Sequence, residues 1–233
     1  MRFEKYFLIV YCFLFAGTNV AQVQKNTLKI LFVGNSYTYY EDMPQQVSAI
    51  SDDSTVKLIT EKSTVGGARL REHWLEQRGL KTKELIKKGK FDIVVLQGHS
   101  MVAIKKPDSL RKYSKLFSDL IKKSGAKPYF YLTWAREYAP HQQKQITKVY
   151  TEVANSNSGV LVPVADAWVL AKKQQATIEL YDLDGSHPSL LGAYLTAHLF
   201  VVSILNEVPK NTSPNDSKDF LFLRKIAREF LKK

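Results

Sequence analysis

Two short segments carry residue types suited to nucleophilic chemistry. Ser36 lies in Gly34-Asn35-Ser36-Tyr37-Thr38, directly after an apolar run. A serine beside a glycine that permits a tight turn can present its hydroxyl at a strand end, with its own backbone N–H pointing the same way. Glycine and serine also close many strands for structural reasons alone. The second glycine of a Gly-x-Ser-x-Gly nucleophile elbow is missing, which argues against that type of hydrolase. The other segment, Asp184-Gly185-Ser186-His187-Pro188, sets a carboxylate three residues before an imidazole. The carboxylate can reach Nδ1 of the ring, fix the tautomer and stabilise the imidazolium, leaving Nε2 to take a serine proton. A helix start nearby disfavours a charged imidazole, so a carboxylate partner is useful there. Taken by itself, the same pair reads equally well as a helix cap.

The elements that must position these segments are legible as five short runs rich in β-branched and aromatic residues. They are 28–33 (LKILFV), 56–60 (VKLIT), 91–96 (FDIVVL), 128–133 (PYFYLT) and 159–164 (GVLVPV). Ile30–Val33 and Ile93–Leu96 are apolar at consecutive positions, as strands covered on both faces are. Between the runs, 108–123 and 141–156 repeat apolar residues at helical spacing, each with one stripe to bury. Alternation of strand and helix predicts a parallel sheet with helices on both faces. Residues 190–205 read as a buried helix opened by Pro188 in its first turn, and 217–232 as a C-terminal amphipathic helix. Between them, 207–216 is the evident linker, with glycosylation sequons at Asn211 and Asn215. In open α/β sheets ligands bind at the carboxyl ends of strands, so the residues just after each run are the ones to read for chemistry.

Residues 2–21 stand apart. Arg2 and Lys5 precede an apolar stretch from Tyr6 to Ala16, followed by small and polar residues up to Ala21. That layout predicts a secretory signal cut near Ala21, leaving one domain over 22–233 in the periplasm or medium. The stretch is too short for the ~20 residues that span a bilayer, so no stable transmembrane anchor is expected. Loss of Arg2, Lys5 and Glu4 takes the net charge from +12 to +11, and the one cysteine, Cys12, goes with them. Disulfide scaffolds and cysteine-ligated metal sites are thereby excluded for the mature chain. The positive charge falls mostly on helical segments and reads as solvated helix faces; nucleic acid is not an expected partner. No two histidines fall at i, i+4 and no phosphate-binding glycine loop is present, so neither a metal nor a nucleotide cofactor is expected.

Gly34-Asn35-Ser36, Gly66-Gly67-Ala68 after the second run, and Asp184-x-x-His187 together resemble the blocks of the SGNH/GDSL hydrolase superfamily, in its order and over nearly the whole mature chain. The resemblance implies a three-layer α/β/α flavodoxin-like sandwich around a five-stranded, mainly parallel sheet. It also implies a Ser-His-Asp triad that hydrolyses esters without a cofactor. Carried over by position, Ser36 is the nucleophile, His187 the general base and Asp184 its orienting acid. The oxyanion hole would come from the N–H groups of Ser36 and Gly67. Asn35 stands where the family usually has aspartate, a turn-supporting position. The third block departs further: Gln97-Gly98-His99-Ser100 replaces Gly-x-Asn-Asp. Gln97 offers the missing amide on a longer arm, and His99 is its reserve.

Tyr37, His73, Trp74, His99 and Trp134 lie near predicted strand ends and are candidates for substrate contact. Aromatic rings there, Tyr39 and Tyr40 with Tyr37, Trp74 and Trp134, stack well on sugar faces, although each also suits ordinary packing. The combined expectation is an exported esterase that removes short acyl groups, acetyl foremost, from a carbohydrate. A catalytically degenerate glycan-binding protein and an acyltransferase using the same triad are its rivals.

Overall fold

The computed structural model describes residues 25–209 and 217–231. The expected signal segment 1–21 and the sequon asparagines Asn211 and Asn215 lie outside the described residues. The elements run β1 (Asn26–Gly34), α1 (Ser36–Tyr39), α2 (Met43–Ser51), β2 (Val56–Thr64), α3 (Leu70–Trp74), α4 (Thr82–Lys88), β3 (Ile93–Leu96), α5 (Val102–Lys105), α6 (Pro107–Lys123), β4 (Lys127–Tyr131), α7 (Gln143–Ser156), β5 (Val160–Val162), α8 (Val164–Gln174), α9 (Leu190–Leu205) and α10 (Lys218–Arg228). All strand pairs are parallel and the order is β2-β1-β3-β4-β5. Helices α2, α8, α9 and α10 pack on one face and α3 to α7 on the other. The expected three-layer α/β/α sandwich is therefore present, with a sheet that is wholly parallel.

The order reverses at β1, with β2 on one side and β3 on the other. That is the switch point where such sheets open a crevice beyond their strand ends, and the chain enters it at Ser36. Ile30, Leu31, Phe32 and Val33 are fully buried, which ties the Ser36 turn to the centre of the core. Phe32 meets Phe200 of α9 edge-on at 5.0 Å, so the buried helix braces the same strand from one face.

Several boundaries differ from the sequence expectation. β2 runs four residues further, through Thr64, because it pairs with β1 over its whole length; Glu61 and Lys62 are polar and exposed on this edge strand. The fifth run stops at Val162, and Pro163 and Val164 open α8, whose buried face carries Ala165, Ala167, Trp168 and Ala171. Pro188 lies outside α9. Ser189 is the N-cap, accepting from the Gly192 N–H at 3.1 Å, and Pro188 pairs with Tyr181 in an isolated antiparallel bridge. His187 thus belongs to a loop rather than to a helix start. Among the described residues no helix is long and apolar enough to cross a membrane.

Candidate active site

The Ser36 turn is held from below by buried polar groups. Asn35 is the N-cap of α1: its Oδ1 accepts from the Tyr37 N–H at 3.1 Å, and its Nδ2 donates to the Ala68 carbonyl at 3.0 Å. The second bond binds the Gly66-Gly67-Ala68 turn to the Ser36 turn, and it requires an amide where an aspartate has no N–H to give. Gln97, fully buried, accepts at Oε1 from the Asn35 N–H at 2.8 Å and from the Thr38 hydroxyl at 3.1 Å. Gly34 is required by this close approach, because a Cβ there would stand 2.4 Å from both Gln97 Oε1 and Thr38 Oγ1.

His73 completes the support. It is fully buried, with Nε2 donating to the Gly34 carbonyl at 2.9 Å and Nδ1 accepting from the Thr82 hydroxyl at 2.8 Å. Thr82 in turn meets Ser63 at 2.8 Å. Burial drives the His73 pKa down from the ordinary 6.5 to about 4, so the ring is neutral, as this pattern of one donor and one acceptor needs.

Against this turn stands the loop that carries Asp184 and His187. Nε2 of His187 lies 2.8 Å from Ser36 Oγ, and its Nδ1 is 2.5 Å from Asp184 Oδ2. The other oxygen of Asp184 accepts from the N–H groups of Ser186 and His187 at 2.9 and 2.8 Å. Partial burial works to raise the Asp184 pKa, but these N–H bonds and the His187 ring outweigh it and hold the carboxyl below its usual range. Gly185 has φ of +61°, a left-handed turn that folds the carboxylate back onto the ring. The loop is tied to the core by Trp134 Nε1 donating to the Ser186 carbonyl at 3.0 Å and by a 2.6 Å hydroxyl contact between Tyr37 and Ser186. Tyr40 stacks on the His187 ring at 4.2 Å with 12° between the planes, and the next two residues, Glu41 and Asp42, are both left-handed.

The predicted residues therefore separate into groups. Ser36, His187 and Asp184 form one hydrogen-bonded chain, and Gly67 stands in the turn bound to it. Among the described residues, neither the Ser36 nor the Gly67 backbone N–H is committed to an acceptor. Gln97 is not an open oxyanion donor. Its Oε1 sits under the nucleophile turn and its Nε2 on the Gly98 carbonyl, so its amide positions backbone. His73, expected beside substrate, is instead a buried prop beneath it. Trp74 lies edge-on to Phe117 at 5.2 Å under Lys83, in packing between α3 and α6. Tyr37 and Trp134 are buried and stacked on each other at 5.0 Å, with Trp168 against Trp134 at 3.6 Å, so neither offers a free ring face to a sugar. His99 is half-buried at the mouth of the crevice. Sequence reasoning missed Thr82 and the loop-docking role of Ser186, neither of which carried a positional signal; Tyr40, expected as a possible sugar-stacking ring, stacks instead on His187. Among the described residues no three His, Cys, Asp or Glu side chains gather as a metal site.

No protein-family model and no curated protein matches the sequence. Solved structures do match. A protein from Slackia heliotrinireducens described as a candidate SGNH hydrolase is 26% identical, with a TM-score of 0.65 over 77% of this chain and 100% of its own. A DUF4886 family protein from Bacteroides uniformis shares 16% identity and a TM-score of 0.74, covering 88% of this chain and 94% of its own. An acetyl xylan esterase, AlAXEase, shares 15% identity and a TM-score of 0.59 over 76% of this chain and 100% of its own. The sheet order, the block order and these likenesses together give the chain the fold of the SGNH/GDSL hydrolases and support the resemblance to that superfamily.

Proposed function

We propose that the protein is an exported serine esterase that removes short acyl groups, acetyl foremost, from carbohydrate. The observation that carries the reading is the continuous chain from Ser36 Oγ through the His187 ring to Asp184 at the sheet's switch point. Ser36 attacks the ester carbonyl while Nε2 of His187 takes its proton. Asp184 holds Nδ1–H and stabilises the imidazolium. The Ser36 and Gly67 N–H groups receive the charge of the tetrahedral intermediate. His187 then protonates the leaving alcohol, and water repeats the sequence on the acyl-enzyme to release the acid and free Ser36. A fold neighbour named for acetyl xylan esterase chemistry favours the acetyl and carbohydrate choice, and the signal-like segment 2–21 favours export.

Because Gln97 is committed to backbone, this hole has two donors where the family pattern offers three. One oxyanion donor is worth about 10²–10³ in rate, so good leaving groups are turned over best. The test is release of p-nitrophenol from the acetate and octanoate esters by the purified protein beside Ser36→Ala and His187→Ala. Acetate is expected to be preferred, with turnover falling by about 10⁴-fold or more in both variants. Equal slow release in all three proteins would overturn the reading.

A further inference from the structure

Beside the triad the carboxyl ends of β2, β3 and β4 enclose a recess of about 210 Å³, and its lining is unusually one-sided. Arg69 follows Ala68, whose carbonyl takes the Asn35 amide. His99 follows Gly98 at the end of β3, and Lys105 and Lys106 close α5. Arg136 follows the Trp134-Ala135 segment after β4, close enough to Asp184 and Tyr37 to act on both electrostatically. Among the described residues none of the four permanent cations forms an ion pair. The carboxylate felt by His99, Glu72, is committed to the Arg69 backbone N–H at 2.8 Å, where it caps α3.

Two further observations point at a ligand rather than at a merely solvated face. The Arg136 guanidinium is held in place, its Nη1 donating to the Tyr138 hydroxyl at 2.5 Å, yet its Nε is buried with no acceptor. His99 accepts the Met101 N–H at Nδ1, 3.3 Å away, which puts the proton of the neutral ring on Nε2 as one more donor. Burial, with Arg69 and Arg136 adding repulsion, keeps that ring below the ordinary histidine range. Cations gathered around a small recess without an ion-pair partner repel one another, and an anion seated among them relieves that cost. Guanidinium groups match the planar, two-oxygen geometry of carboxylate and sulfate.

We infer that this recess is an anion subsite, which holds a uronate carboxylate or a sulfate ester of the glycan next to the ester that Ser36 attacks. The inference rests on the esterase reading for that ester, and on the recess alone for the anion. It makes the preferred substrate an acylated acidic polysaccharide, with recognition strongest at low ionic strength.

The deciding experiment compares kcat/KM of the purified protein on acetylated oligogalacturonate and on neutral acetylated xylo-oligosaccharide. The ratio is expected near tenfold or above in favour of the acidic substrate, on the order of one charge-assisted hydrogen bond. It should fall to about one in Arg69→Gln/Arg136→Gln and by roughly threefold in Lys105→Ala, a solvated contact. Using the ratio removes any general damage to the triad. Should the double variant fail to fold, inhibition of p-nitrophenyl acetate turnover by oligogalacturonate and by sulfated galactan oligosaccharide, at low and high salt, reads the same site in the unaltered protein. Salt-sensitive inhibition by the first assigns a uronate and by the second a sulfate, and either supports the inference. A ratio near one with no inhibition by either anion overturns it, while Ser36-dependent p-nitrophenyl acetate turnover leaves the esterase reading standing. Conversely, arginine-dependent calorimetric binding of oligogalacturonate without turnover of any ester overturns the esterase reading and keeps the subsite.

Discussion

The two halves of the candidate triad are built in different ways. The nucleophile half is fixed from inside the protein: Asn35, Gln97 and His73 are buried and converge on the Gly34–Ser36 backbone. The base half rides on a loop over the surface. The Asp184 side chain is 47% exposed and Leu183 beside it is wholly exposed; the loop meets the core chiefly through Trp134, Tyr37 and the Tyr181–Pro188 bridge. A buried polar prop is coupled to global stability, because removing one partner strands another in a water-free place. An exposed loop can change with little effect on the fold. Damage to the first half should therefore register in stability and rate together, and damage to the second in rate alone.

The sharpest way to break that contrast is Asp184→Asn. Turnover of p-nitrophenyl acetate should fall by about 10³-fold, somewhat less than for a buried triad aspartate, because solvent shares in orienting the ring. The denaturation midpoint should hardly move; a large loss of stability would show the loop to be part of the core after all.

His73 tests the other half through pH. Its folded pKa, about 4, lies below the unfolded value of 6.5, so the unfolded chain takes up the proton first. Its contribution is intact above pH 6.5 and is lost as pH falls toward 4, by about 3 kcal/mol over that window. Urea denaturation at several pH values should show the slope, and His73→Gln should flatten it while lowering stability at neutral pH. An unchanged slope in the variant would remove His73 from the support of the nucleophile turn.

Asn35→Asp is a smaller perturbation of the same half. The carboxylate still caps α1 but faces the Ala68 carbonyl with no N–H to offer, at a cost of about 1–2 kcal/mol. Stability and kcat should drop together, since the Gly67 turn loses its tie to Ser36. Trp134→Phe should be the mildest in rate, lowering kcat a few-fold with KM unchanged through loss of the bond to Ser186, while the smaller ring in this buried stack costs about 1–3 kcal/mol of stability. Stability unmoved in Asn35→Asp, as in Asp184→Asn, would erase the distinction between the halves.

This division also explains what could be read in the chain beforehand. Ile30–Val33 and Ile93–Leu96 announce central strands through apolar residues at consecutive positions, and Ser36 and Asp184-x-x-His187 announce themselves through type and spacing. The props do not. Nothing in the spacing of His73 separates a ring aimed at substrate from one aimed at a backbone carbonyl, because its partners Gly34 and Thr82 lie 39 residues before and 9 after it. Gln97 was legible as an amide at a strand end, but its direction is set by the Asn35 N–H and the Thr38 hydroxyl across the sheet. Pro188 looked like a helix opener, and only its pairing with Tyr181 reveals the loop that frees His187 from the helix. Helix α8 was hidden because Pro163-Val164 continues a β-branched run in sequence while opening a helix in space.

The separation of 151 positions between Ser36 and His187 has a consequence for the order of assembly. The last strand ends at Val162, so a chain that emerges N-terminus first can possess its entire sheet, with Ser36 seated in it, before His187 is free to dock. Synthesis proceeds from the N-terminus at roughly 5–20 residues per second, and domains form as their segments become available. The onset of turnover is therefore a clock for the final docking of the Asp184–His187 loop, and in refolding it should lag the recovery of sheet structure.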